Sequence, residues 1–136
     1  MIVATALMCL SLNIYHESRG EPVPGRYAVA QVTMNRAEGE DSRVCDEVFK
    51  KKQFSWANEG VKKVKGGWFV PRHLQPSEEG AWDSSKRIAS TALQGRMWDF
   101  SKSAKFYHTL NVKPKWAKKM QVVARIGNHI FYVHKA

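Results

Sequence analysis

The first fifteen residues carry no charge, and that run constrains the chain more than any other feature. Val3, Leu7, Leu10 and Ile14 recur at helical spacing, which predicts a first helix with an apolar stripe turned to a core. The run is shorter than the ~20 residues needed to cross a bilayer. It also lacks the basic start and small-residue cleavage site of a secretory signal, so no export signal is expected. Glu17 continues the stripe, lying within roughly 60° of those four side chains on a helical wheel. A carboxyl placed there meets burial and the negative end of the helix, and both disfavour its charged form. Its pKa should rise, the direction a general acid working near neutrality needs. If the helix has already frayed, Glu17 points to water instead and pairs with Arg19. Spacing alone leaves both outcomes open.

At 136 residues with 43% hydrophobic content, the chain is expected to form a single domain, residues 1–136, with a real core. No repeat, low-complexity stretch or linker divides it. Gly20-Glu21-Pro22-Val23-Pro24-Gly25 punctuates strongly as a turn. A second helix is expected from Arg26 to Arg36, a short one over Cys45 to Lys52, and another over Glu78 to Gln94, capped by Ser77 and closed by Gly95. Residues 53–76 lack periodicity and read as an irregular, partly mobile excursion. Val122–Ile126 and His129–Val133 flank Gly127-Asn128, the pattern of a tight hairpin. The class is α+β: mainly helical, with a small C-terminal hairpin.

Twenty-two Lys and Arg against twelve Asp and Glu give a net charge of +10, which calls for a polyanionic neighbour. Residues 1–40 hold three Arg and four Glu, so the positive excess lies wholly after them. Lys50-Lys51-Lys52, Lys62-Lys63, Lys65, Lys113, Lys115, Lys118-Lys119 and Arg125 are expected to form a solvated basic face. A nucleic-acid-binding module is the competing class, but no helix-turn-helix, zinc-finger or RNA-binding pattern is present. Cys9 and Cys45 are read as two small buried thiols. No metal site is expected, since the five histidines share no ligand spacing with cysteine or acid; no cofactor is called for either.

Ile14-Tyr15-His16-Glu17-Ser18-Arg19-Gly20-Glu21, followed by Gly25-Arg26-Tyr27-Ala28-Val29-Ala30-Gln31-Val32 and Asn35-Arg36, resembles the opening of the cell-wall hydrolases typified by the spore-cortex-lytic enzymes. Val44-Cys45, Val48-Phe49 and Gln53-Phe54-Ser55-Trp56 resemble the family's next block. Ala104-Lys105-Phe106-Tyr107-His108 with Lys115-Trp116 resembles its substrate-facing segment, and Ile126-Gly127-Asn128-His129-Ile130-Phe131 its terminal hairpin. The resemblance implies a lysozyme-like domain that cleaves peptidoglycan between N-acetylmuramic acid and N-acetylglucosamine. It carries the family's catalytic glutamate onto Glu17, and it implies a lytic transglycosylase that leaves a 1,6-anhydromuramic end. Together with the missing signal and wall-binding module, it suggests a monomeric bacteriophage endolysin, stored in the host cytoplasm and released to the periplasm and wall by a holin. The basic face would then draw the enzyme to acidic stem peptides or an anionic envelope.

Other residues carry two readings each. Glu21 could act as a second acid in a water-using muramidase, order its turn, or pair with Arg19. Gln31 and Asn35 share a helix face and could contact sugar hydroxyls and N-acetyl groups, or tie the second helix to the Glu17 turn. Phe54 and Ser55 sit in a polar-aromatic knot, Phe54 leaning to core. Tyr107 and His108 alternate faces of an apparent strand, with Tyr107 favoured to hold an oxocarbenium-like sugar and His108 a helper. Trp116 could be a saccharide platform or a packing residue.

Overall fold

A computed structural model describes residues 1–50 and 54–136. The uncharged run divides in two. Ile2–Val3 forms a short strand, β1, and the first helix, α1, spans Ala6–Ser18 with Thr5 accepting from the Met8 amide at 3.2 Å. The stripe is therefore not the one expected. Val3 is buried from the strand, Leu7 is exposed, and Cys9, Leu10, Leu12 and Ile14 are all fully buried. A helix apolar on most of its circumference belongs at the centre of a fold. Accordingly α1 packs against three helices: α2 (Val23–Arg36), α3 (Val44–Val48) and α4 (Glu79–Leu93).

The second helix starts three residues earlier than expected, with Pro24 in its first turn, where a missing N–H leaves nothing unsatisfied. α3 stops at Val48; the expected continuation through Lys51 and Lys52 lies outside the described residues, as does Gln53. Ser77 does not cap α4. Glu78 occupies the cap position without a side-chain bond, and the Ser77 and Glu78 amides donate instead to the Tyr15 hydroxyl at 3.2 and 3.0 Å. Gly95 closes the helix as expected, at φ +70°.

Residues 54–76 are regular where irregularity was expected. A 3-10 turn at Ser55–Asn58 leads into β2 (Lys62–Val64) and β3 (Gly67–Phe69), and β1 adds antiparallel to β3, giving the order β1-β3-β2. Gly67, at φ +152°, lets β3 approach β1; a Cβ there would press into the Val3 carbonyl. Val70 and Leu74 then anchor the segment in the core.

The C-terminal sheet is β4 (Phe106–Thr109), β5 (Met120–Ile126) and β6 (His129–His134), in the order β4-β6-β5. The expected hairpin is β5–β6, turning at Gly127 with φ +56°. The α+β class holds, enlarged by one strand beside the hairpin and by the second sheet. An alanine at Gly127 would drive its Cβ into the Glu21 carboxylate and within 2.9 Å of Pro22 Cδ. Gly127→Ala is expected to cost about 1–3 kcal/mol, read as a fall of several degrees in thermal melting.

The two cysteines are not free thiols. Cys9 and Cys45 are joined, with Cα atoms 5.2 Å apart and a sequence separation of 36. The bond fastens α1 to α3 eight residues before Glu17. The expectation of two small buried thiols fails because a partner across the helix interface is invisible to spacing.

Candidate active site

α1 stays helical through Ser18, so Glu17 is not frayed into water. Its carboxyl sits partly buried in the wall of a cavity of about 630 Å³ between α1, α2, the 54–58 turn and the C-terminal sheet. Tyr107, on β4, donates its hydroxyl to Glu17 Oε1 at 2.7 Å across 90 residues of sequence. Burial raises the Glu17 pKa above the usual carboxylate range, and the Tyr107 hydrogen bond opposes this in part. Tyr107 itself is held well above its ordinary value, by burial first and then by the charge and bond of Glu17. It therefore stays a neutral donor. Arg19, the alternative partner, is engaged elsewhere, 3.2 Å from Glu78.

Tyr107 is held in an aromatic cage. Phe54 stacks on it at 6.0 Å, His129 meets it edge-on at 5.2 Å, and Phe131 lies at 5.6 Å. Phe54 is thus both core, 3% exposed, and cavity wall. Ser55 is exposed on the same wall. His108 lines the cavity with both ring nitrogens occupied, one 2.6 Å from the Tyr132 hydroxyl and the other 2.7 Å from the Thr109 carbonyl. Trp116 packs on Phe106, His108 and Tyr132, as its packing reading expected, and also lines the cavity.

Three expected residues are placed elsewhere. Glu21 does not line the cavity. Its Oε1 accepts from the Asn128 amide at 2.7 Å and lies 3.4 Å from His129 Nδ1, while Oε2 accepts from the Asn128 side chain at 3.2 Å. It clamps the β5–β6 turn. Gln31 and Asn35 face a second cavity, and Asn35 donates to Ser101 Oγ and the Ala104 carbonyl at 3.3 and 2.9 Å. Asn35, which accepts from Gln31, ties α2 to the 101–104 loop and not to the Glu17 turn.

Arg36 was missed. It lines the Glu17 cavity, its guanidinium 4.9 Å over the Phe106 ring, with burial lowering its pKa. Its place beside Asn35, in the block the resemblance quoted, was the available signal. Among the described residues no cluster of His, Cys, Asp and Glu could hold a metal ion.

The sequence pattern of the Cell Wall Hydrolase family matches residues 20–132, well over half of the chain. The chain belongs to that family. Spore cortex-lytic enzymes of Bacillus cereus and Bacillus subtilis strain 168 are 29% and 27% identical to it over 121 and 125 residues. Those alignments cover 87% and 90% of this cell wall hydrolase but only 40% and 35% of the relatives. Its fold is similar to the catalytic domain of the Bacillus cereus SleB protein, with a TM-score of 0.67 at 26% identity, covering 94% of this chain and 89% of that one. The catalytic domain of the germination-specific lytic transglycosylase SleB from Bacillus anthracis gives 0.70 at 27% identity, with 94% and 93% covered. The family match begins at Gly20, so the case for Glu17 in this cell wall hydrolase rests on the geometry of its carboxyl.

Proposed function

We propose that this cell wall hydrolase cleaves the glycan strands of peptidoglycan between N-acetylmuramic acid and N-acetylglucosamine, as a lytic transglycosylase. One observation carries the reading: among the described residues lining the cavity, Glu17 is the sole carboxyl, and burial raises its pKa in the direction a general acid needs. A retaining or inverting glycosidase needs two carboxyls flanking the bond. A transglycosylase needs one. Glu17 donates its proton to the bridging oxygen as the C1–O bond breaks. The muramic sugar's own C6 hydroxyl then attacks C1 and returns its proton to the Glu17 carboxylate. The products are a 1,6-anhydromuramic end and a free N-acetylglucosamine 4-hydroxyl, with the acid restored. Tyr107 positions the carboxyl and does not need to touch sugar.

Mass spectrometry of muropeptides released from purified sacculi tests this directly. Anhydro ends are expected; reducing ends would replace it with water-using hydrolysis, in which another group must position the water. Removing the Tyr107 hydroxyl takes away the bond that holds the Glu17 pKa down. Tyr107→Phe is therefore expected to move the alkaline limb of the pH–rate profile to higher pH while slowing turnover, and an unmoved limb would uncouple the two residues.

We further propose that the protein acts in host lysis as an endolysin, stored in the host cytoplasm until a holin opens the membrane. The net charge of +10 and the exposed Lys62, Lys63, Lys113 and Lys118 support attraction to an anionic wall. Cultures expressing the chain should lyse when a holin is co-induced; lysis at the same rate without it would remove the storage step.

A further inference from the structure

Lys105 lines the Glu17 cavity and also a second cavity of about 360 Å³, formed by the C-terminal turns of α2 and α4 and the loop that follows α4. That volume lies within the ~300–1,000 Å³ typical of ligand pockets. Met34 and Met97 supply apolar lining, and Gln31, Glu38, Ser103 and Lys105 the polar groups.

Three features distinguish it. Among the described residues, the non-glycine positions in the left-handed region are Glu38, Lys102 and Ser103, at φ +55°, +53° and +68°. Two of them line this cavity and the third adjoins it. Such backbone persists where surrounding structure over-determines it, and it gathers at ligand clamps. Here Asp99 does the holding, accepting from the Ser101 and Ser103 amides at 3.0 and 2.9 Å. Second, the Gln31 side-chain N–H donates to Asn35 Oδ1 at 3.1 Å, which leaves the Gln31 carbonyl oxygen as an acceptor in the cavity wall. Third, the balance of free charge is positive. Glu38 is paired with Arg43 at 3.2 Å and Asp99 is occupied by its own loop, whereas exposed Arg96, Lys102 and Lys105 are in no ion pair among the described residues. Trp98, 77% exposed, extends the apolar surface just beyond Met97.

We propose that this second cavity binds the acidic stem peptide carried by the muramic acid residue whose glycosidic bond Glu17 protonates. The inference rests on the proposed cleavage of peptidoglycan and deepens it. The peptide branches from the lactyl group of the sugar, so it must leave the glycan groove sideways. Lys105, shared by both cavities, marks where it can do so, and the cations there meet its carboxylates. The amide of Gln31 suits a peptide N–H.

The test compares peptide-bearing glycan strands with strands stripped of peptide by an amidase, using the whole chain. The wild type is expected to show a kcat/KM about tenfold higher on the peptide-bearing strands. Met97→Asp, which puts a negative charge in the cavity, and Lys102→Glu, which reverses one on the residue next to Ser103 of its wall, should each bring that ratio toward unity. Lys102 is exposed, so its variant remains informative if the first fails to fold. Equal wild-type rates on the two substrates would overturn the proposal, as would a full preference retained by both variants. Absence of cleavage of either substrate would instead remove the glycosidase reading, and this proposal with it.

Discussion

Glu17→Gln is expected to abolish clearing of purified murein, with a loss on the order of 10³-fold or more, because in the proposed reaction one residue supplies both the acid and the base step. Glutamine keeps the size of the side chain and its acceptor for Tyr107, so the loss should come with an intact fold. Stability should move the opposite way. Burial raises the folded-state pKa of Glu17, so as pH climbs, the unfolded chain loses this proton first. The stabilisation is complete below about pH 4.5, the ordinary value, and is lost as pH rises through the raised one. Near neutrality the glutamine variant should therefore melt higher than the wild type, and the gap should close in acid. Clearing by Glu17→Gln at the wild-type rate would remove this residue from the chemistry.

The second large effect concerns Cys9–Cys45. Closing a loop across 36 residues constrains the unfolded chain by about 4 kcal/mol in the chain-entropy picture. For a domain of this size, replacing both cysteines with alanine is expected to lower the melting temperature on the order of 10–15 °C. Reduction of the wild type should do the same, and Cys9→Ala/Cys45→Ala should not respond to reductant. An unchanged melting point on reduction would show that the link braces nothing. Such bonds close in oxidising compartments, so protein held under reducing conditions should be the softer form and should gain stability on oxidation.

The sequence and the structure agree where information is local. Leu10 and Ile14 put Glu17 on a buried face, Gly127-Asn128 announces a hairpin, and Gly95 ends a helix; each depends on neighbours within a few residues. Disagreement begins where a partner is distant in the chain. The role of Glu21 depends on the Asn128 amide, 107 residues away, and nothing in a Gly-Glu-Pro turn indicates it. The β1-β3-β2 sheet has strands of two and three residues, too short for a period of two to emerge, and its lysines read equally well as a solvated loop. Ser77 lost its capping role because the Tyr15 hydroxyl serves both it and Glu78. Helical spacing brought Gln31 and Asn35 together correctly but could not say which cavity they face.

The bond from Tyr107 has a directional consequence. With Oε1 of Glu17 taken up by a phenol that does not ionise at working pH, the mobile hydrogen has one oxygen left on which to ride. In the proposed reaction, delivery to the departing sugar and recovery from the incoming hydroxyl would then pass through the same atom. The way a single tyrosine holds its neighbour would thus fix which carboxyl oxygen handles the proton in both halves of that reaction.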